Sequence, residues 1–152
     1  DVYKRQPDWM FGEFDDFATT TGTLDINDKT ETTDAVTRAY YFVTGLATVP
    51  LTALVSFEIE HENPEDLIVK AYAPCGPGAP WEYETVLWNK GKTNTDGKVF
   101  LEENRIVANN ALLFQPGDDM VNGYWTLEIT DTQTGNTGTL NDWSLKISSR
   151  WD

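Results

Sequence analysis

Asn122-Gly123-Tyr124-Trp125-Thr126-Leu127-Glu128-Ile129-Thr130-Asp131 and, past a short loop, Gly138-Thr139-Leu140-Asn141-Asp142-Trp143-Ser144-Leu145-Lys146-Ile147 decide how this chain is read. Both runs carry Trp-x-Leu-x-Ile, at Trp125/Leu127/Ile129 and at Trp143/Leu145/Ile147. Successive side chains of a strand point to opposite faces, so each run gathers its large apolar groups on one face. The intervening Thr126, Glu128, Ser144 and Lys146 are then expected to face water. Asp131–Asn141 is rich in Thr, Gly, Asn and Asp, residues that supply turns, positive φ and local capping. The expectation is two half-buried strands joined by an ordered loop as a hairpin.

Working outward, the same period recurs. In Leu54–His61, Val55, Phe57 and Ile59 alternate with Ser56, Glu58 and Glu60, and Asp66–Ala73 places Leu67, Val69 and Ala71 on one side. With Glu62–Glu65 and its Asn63-Pro64 between them, this reads as a second hairpin. Further strands are expected at Ala39–Val43, Trp81–Trp88, Lys98–Leu101 and Ile106–Phe114, the last with a bulge at Asn109-Asn110, and β character at Phe17–Asp25 with Leu24 and Ile26 as anchors. Asn27–Asp34, Cys75–Pro80, Asn89–Lys98 and Gln115–Asn122 read as loops, and Val49-Pro50 as punctuation before a strand. No helical period is sustained, and many short strands at regular spacing imply an all-β jelly-roll sandwich.

The closing stretch also resembles the P domain, or Homo B domain, that follows the catalytic domain in kexin- and furin-like proprotein convertases and in bacterial subtilisin-like serine proteases. That family closes with Asn-Gly-x-Trp-x-Leu-x-Val-x-Asp, then Gly-Asp-x-Gly-x-Leu, then x-x-Trp-x-Leu. The counterparts are Asn122–Asp131, Gly135-Asn136-Thr137-Gly138-Thr139-Leu140 and Trp143-Ser144-Leu145. Asn136 stands where the family has Asp, so the resemblance supplies no anionic site in this turn. Upstream, His61 at a strand end, Asp66-Leu67-Ile68-Val69 and Pro74-Cys75-Gly76 fit the pattern too, with Glu60 and Glu62 where the family prefers Thr. The resemblance runs from about Phe17 to Ile147. It implies a jelly roll similar to galactose-binding modules, without catalysis of its own, packed beside an upstream catalytic domain that it stabilises or regulates in proteolysis. It also implies an extracellular or cell-surface protein.

Composition narrows the partners. The formal net charge is −14, which disfavours nucleic acid and anionic membranes, both of which need basic surface. No apolar run is long enough to cross a bilayer. Cys75 is the single cysteine, so no intrachain disulfide forms, and within a Pro/Gly turn it reads as a bystander thiol. A serine triad needs a histidine within hydrogen-bond reach of the nucleophile. The one histidine is His61, and Ser56, Ser144, Ser148 and Ser149 lie in no Gly-x-Ser-x-Gly elbow. His61 therefore reads as a strand-end residue bonded within the β framework, and no catalytic residue is assigned.

Zinc is disfavoured by one His and one Cys. No cofactor follows from the residues, but acidic loops at Asp25/Asn27/Asp28, Asn94/Asp96 and Asp118/Asp119 leave structural calcium open, although none has the full EF-hand spacing. Metal ligands are therefore not assigned. Paired carboxylates for glycoside hydrolysis carry no signal among 25 acids. Trp81, Tyr83 and Trp88 read either as a sugar-stacking face or as core. The alternative to the protease module is thus a carbohydrate- or protein-binding jelly roll attached to a metalloprotease, glycosidase or adhesin.

The start of the chain is set apart. Asp1-Val2-Tyr3-Lys4-Arg5-Gln6 translates, in frame, the end of a transposase-based sequencing adaptor and is read as a library scar. Removing it takes away one acid and two bases and leaves the rest more acidic still. Pro7–Asp16 is then a linker or the remnant of a strand, and 17–152 the P domain, with the native frame expected to continue upstream.

Overall fold

In the computed structural model, residues 10–11, 24–30, 32–45, 49–74, 84–113 and 122–150 are described. Alternating apolar sequence becomes alternating burial. Ala53, Val55, Phe57 and Ile59 of strand β4 (Val49–His61) are all buried, and so are Ala39, Tyr41 and Val43 of β3 (Ala35–Val43). Among the described residues the remaining strands are β1 (Met10–Phe11), β2 (Leu24–Ile26), β5 (Leu67–Tyr72), β6 (Glu84–Asn89), β7 (Val99–Glu102), β8 (Arg105–Leu113), β9 (Gly123–Asp131) and β10 (Gly138–Arg150), with a 3-10 turn at Pro64–Asp66.

They form two antiparallel sheets. The first runs β1-β10-β4-β8-β7, with β2 also on β10; the second runs β3-β9-β5-β6. One cluster of buried side chains from both sheets fills the space between them, which is the sandwich expected from sequence. Trp143 lies opposite Phe57, and Leu145 opposite Val55, in the first sheet; Leu127 sits between Ala39 and Ala71 in the second. Across the interface the Tyr41 hydroxyl donates to the Trp143 carbonyl at 2.6 Å, and the two rings lie 4.4 Å apart.

Three expectations change. First, neither expected hairpin exists. β4 and β5 lie in different sheets, as do β9 and β10, so Glu62–Asp66 and 132–137 are arches that cross the sandwich. A period of two buries one face whether the next strand pairs alongside or crosses over, so alternation could not separate the two. Each strand finds a distant partner instead: β10 pairs with β4 and β2, and β9 with β3 and β5.

Second, Thr126 and Glu128 do not face water. They are 4% and 8% exposed. β9 is an interior strand of its sheet, so neighbouring side chains cover its outer face. Arg38 Nε donates to Glu128 at 3.0 Å, and the Tyr72 hydroxyl lies 3.3 Å from the same carboxylate and 3.1 Å from Glu84. Burial and these two carboxylates hold the Tyr72 phenol well above its usual pKa.

Third, Pro50 lies within β4, opposite Ser149, at a register shift where the missing N–H is tolerated. The bulge at Asn109-Asn110 is present: the β4–β8 register slips between Val55 and Phe57. Asn110 takes positive φ there, and its N–H donates to Ser56 Oγ at 3.0 Å. Within the segment read as linker or strand remnant, Met10 and Phe11 pair with Ile147 and Lys146. The hexapeptide Asp1–Gln6 and the turn Cys75–Pro80 lie outside the described residues.

Candidate functional site

Two arches leave the same end of the sandwich, and the chemistry-bearing residues collect there. β4 ends at His61 and β9 at Asp131, one in each sheet. His61 Nδ1 accepts a hydrogen bond from the Asn63 N–H at 3.1 Å, so in the neutral ring the proton sits on Nε2. Nε2 faces Asp131 Oδ2 at 3.4 Å, both side chains are wholly buried, and neither atom has another partner among the described residues. The pair therefore links the two sheets across the core. Burial pushes the Asp131 carboxyl above its usual pKa, while the Gln133 N–H (3.1 Å) and His61 pull it back.

The arches are tied to each other by carboxylates. Buried Asp66 accepts from Asn63 Nδ2 at 2.7 Å and from Asn136 Nδ2 at 3.0 Å. Its carbonyl accepts both the N–H and the hydroxyl of Thr132, at 3.0 and 2.6 Å. Glu62 accepts the N–H and hydroxyl of Thr137 at 2.7 and 3.0 Å, which lowers its pKa. Asp28, before β3, accepts the Gly135 N–H at 3.0 Å. These acids cap loop N–H groups and side-chain amides that the crossing leaves unpaired.

Gly138 follows, at the first residue of β10. A Cβ there would lie 2.3 Å from the Glu60 carbonyl oxygen, 2.6 Å from His61 Cδ2 and 2.8 Å from His61 Cα. The second glycine of Gly-Asn-Thr-Gly is thus required by contact with the strand that carries the histidine.

Residues 51–147 match the proprotein convertase P-domain family model. The chain belongs to that family. Two solved structures of the serine protease of Aeromonas sobria are similar to it. One, in complex with its chaperone, is 19% identical over 97% of this chain and 27% of that chain, with a TM-score of 0.43. The other is 17% identical over 95% of this chain and 28% of that chain, with a TM-score of 0.38. This P domain therefore spans little more than a quarter of the length of those chains. No curated protein matches it.

The sequence-derived candidates fall as follows. His61 accepts the Asn63 N–H on Nδ1, turns Nε2 toward Asp131, and is wholly buried. Ser56 binds the Asn110 bulge, and Ser144 and Ser148 lie along β10, opposite Ser56 and Thr52. Trp88 is core: it is buried, and its indole N–H donates to the Pro64 carbonyl at 3.0 Å. Trp81, Tyr83, Cys75 and the Asp118/Asp119 pair lie outside the described residues.

The acidic loops read as calcium candidates carry the following hydrogen bonds. The Asn27 backbone N–H donates to Thr37 Oγ1 and its Nδ2 to the Val36 carbonyl, and Asp28 Oδ2 accepts from the Gly135 N–H. Asn94 donates to the Val86 carbonyl, and Asp96 sits at positive φ in a turn. Calcium wants six to eight oxygens. Among the described residues no three His, Cys, Asp or Glu side chains gather as a metal site. No helix among them is long and apolar enough to cross a membrane.

Sequence reasoning missed the roles of Asp66, Asn136 and Asp131 as arch ties. The one available signal was the clustering of Asn and Asp at both turns, since such side chains cap backbone that leaves a sheet.

Proposed function

We propose that this P domain is a non-catalytic accessory module of a larger, secreted serine endopeptidase of subtilisin type. The observation that carries the reading is the family match over residues 51–147. The complete burial of the His61 side chain supports it, because a general base must reach a substrate proton. The module acts by packing beside an upstream catalytic domain. Apolar surface buried in such a contact is lost when the neighbour unfolds, so docking raises the neighbour's unfolding free energy. In this reading the peptide-cleaving serine lies on the upstream domain, and the protein works outside the cell or on its surface.

The direct test is to extend the source DNA upstream of Pro7 and read the frame. Subtilisin-like Asp, His and Ser motifs, in that order, are the expected result. A different enzyme, or a string of β modules, would overturn the protease reading and leave the P-domain assignment standing. In solution, the isolated chain should leave casein intact. Cleavage that disappears in His61→Ala would refute a non-catalytic role.

A further inference from the structure

The second sheet has two edges, and the described residues finish them differently. Beside β6 the chain folds back on itself: Thr93 forms a bridge with Trp88, and Asn94 Nδ2 donates to the Val86 carbonyl at 3.1 Å. At β3 a cap covers one end. Asn27 Nδ2 donates to the Val36 carbonyl at 3.3 Å, and the Asn27 N–H to Thr37 Oγ1 at 2.8 Å. From Ala39 to Val43, β3 pairs with β9 alone among the described residues.

The backbone groups that face this edge follow from the bonding of β9. The Thr132 N–H donates to the Asp66 carbonyl at 3.0 Å, and the same ladder continues through Ile68 and Thr130, Lys70 and Glu128, and Tyr72 and Thr126. Bonded and non-bonded pairs alternate along an antiparallel ladder. The even-numbered residues of β9 therefore bond to β5, and the odd-numbered ones to β3. Their partners in β3 include Ala39, Tyr41 and Val43, so the N–H and C=O of Tyr40 and Phe42 turn outward. The Val36 carbonyl, taken by Asn27, points the same way.

The side chains leave this stretch accessible. Phe42 is 41% exposed and Tyr40 half-buried, and their rings lie 4.8 and 6.2 Å from that of Tyr124. Proteins usually blunt an edge with charge, proline or a bulge, because it invites another strand. Ala39–Thr44 contains no charged residue and no proline, and the β3–β9 register runs without a shift.

The same stretch selects the occupant. The chain carries a net charge of −14, so two copies repel wherever their acids meet. At this edge they meet through uncharged residues, bordered by Arg38, which is paired with Glu128 at 3.0 Å. The stretch is also self-complementary. A two-fold axis beside Tyr41 sets Tyr40 opposite the partner's Phe42, and Phe42 opposite the partner's Tyr40. All four residues then bring outward N–H and C=O groups, so each pair exchanges two hydrogen bonds and sets ring against ring across the strands.

We infer that β3 is a dimerisation edge, at which two copies of this chain pair antiparallel through Tyr40 and Phe42 and join their four-stranded sheets into one. The contact is isologous and closes on itself. It goes beyond the protease reading and does not depend on it.

The test is sedimentation velocity of the whole chain over a concentration series, with reductant present so that Cys75 cannot cross-link. A monomer–dimer equilibrium is expected, tightening at least about threefold between about 0.05 and about 0.5 M sodium chloride as the mutual repulsion is screened. Tyr40→Pro removes an outward N–H and a ring at an edge position where proline is tolerated, so it should melt cooperatively and dimerise at least about tenfold more weakly. Should Tyr40→Pro fail to fold, Phe42→Lys decides, since lysine at an exposed edge position blocks pairing without disturbing the β9 ladder. Leu112→Lys makes the same charge change at a residue 60% exposed on the other sheet, and should dimerise as the parent does. A parent that stays monomeric at every concentration and salt would overturn the inference. So would a dimer that survives in the folded edge variants, or one that Leu112→Lys weakens equally. A monomeric parent that binds a labelled peptide of alternating valine and threonine would assign the edge to a different chain and overturn the second copy.

Discussion

Replacing Gly138 by alanine separates two explanations of a motif glycine by the sign of the result. Gly138 is not among the positive-φ glycines, so its backbone is open to any residue. If it were an ordinary strand glycine, alanine would stabilise the domain by about 0.5–1 kcal/mol, through lost unfolded-state entropy. The contacts predict the opposite. The added methyl would meet the Glu60 carbonyl at 2.3 Å and the buried His61 at 2.6 and 2.8 Å. Two of these three atoms are backbone of a central strand, so relief requires β10 to move off β4. Overpacking a well-packed region costs about 1–3 kcal/mol, and contact with the backbone of β4 at two atoms puts this case near the top, at about 3 kcal/mol. For a domain of this size that is a fall of about 6–12 °C in Tm. Gly135→Ala sets the scale: its φ is +101° and nothing lies within 4 Å of a new Cβ, so it carries backbone strain alone, about 1–2 kcal/mol. The assay is thermal and urea unfolding of both variants beside the parent. An unchanged or raised Tm for Gly138→Ala would refute the close approach of β10 to His61.

Two further predictions follow from the arch ties. Asn136→Asp restores the residue usual in the P-domain pattern but sets a second carboxylate against Asp66, where the amide now donates at 3.0 Å. It should lose about 1–3 kcal/mol at neutral pH, measured by urea unfolding, and recover as pH falls and one carboxyl of the pair protonates; equal stability at both pH values would count against the pairing. Asp131 tests the buried link between the sheets. Its folded pKa is raised, mainly by burial, so its favourable contribution is complete below the unfolded value of about 4 and is lost as pH rises through the folded value. Asp131→Asn removes that titration, so the stability difference, variant minus parent, should move in the variant's favour as pH climbs through this window. A difference that stays flat with pH would show that Asp131 is not burdened by its burial.

What was legible in the sequence was whatever a local period could encode. Trp125, Leu127 and Ile129, and Trp143, Leu145 and Ile147, are all buried as the alternation required, and Asn109-Asn110 forms the expected bulge. Which strand pairs with which was not encoded locally. The hydrophobic face of β9 has the same pattern whether its neighbour is β10 or β3, and the choice is made by the two arches. The fate of Glu128 shows the same limit. Its period placed it on the outer face, correctly, but an outer face of an interior strand is covered when Arg38 and Tyr72 lie over it.

The arches explain why the acids in this domain divide into two populations. Crossing from one sheet to the other frees N–H groups and amides that no ladder can accept, and Glu62, Asp66 and Asp28 each accept at least one of them. Those carboxylates are part of the fold, and their neutralisation opens the turns. Glu60 and Glu103, by contrast, are exposed and line a cavity between the end of β4, the Glu103-Asn104 turn and the start of β10. Removing charge from the first group should therefore lower stability, and from the second should leave it within about 0.5 kcal/mol, because exposed single charges contribute little to folding.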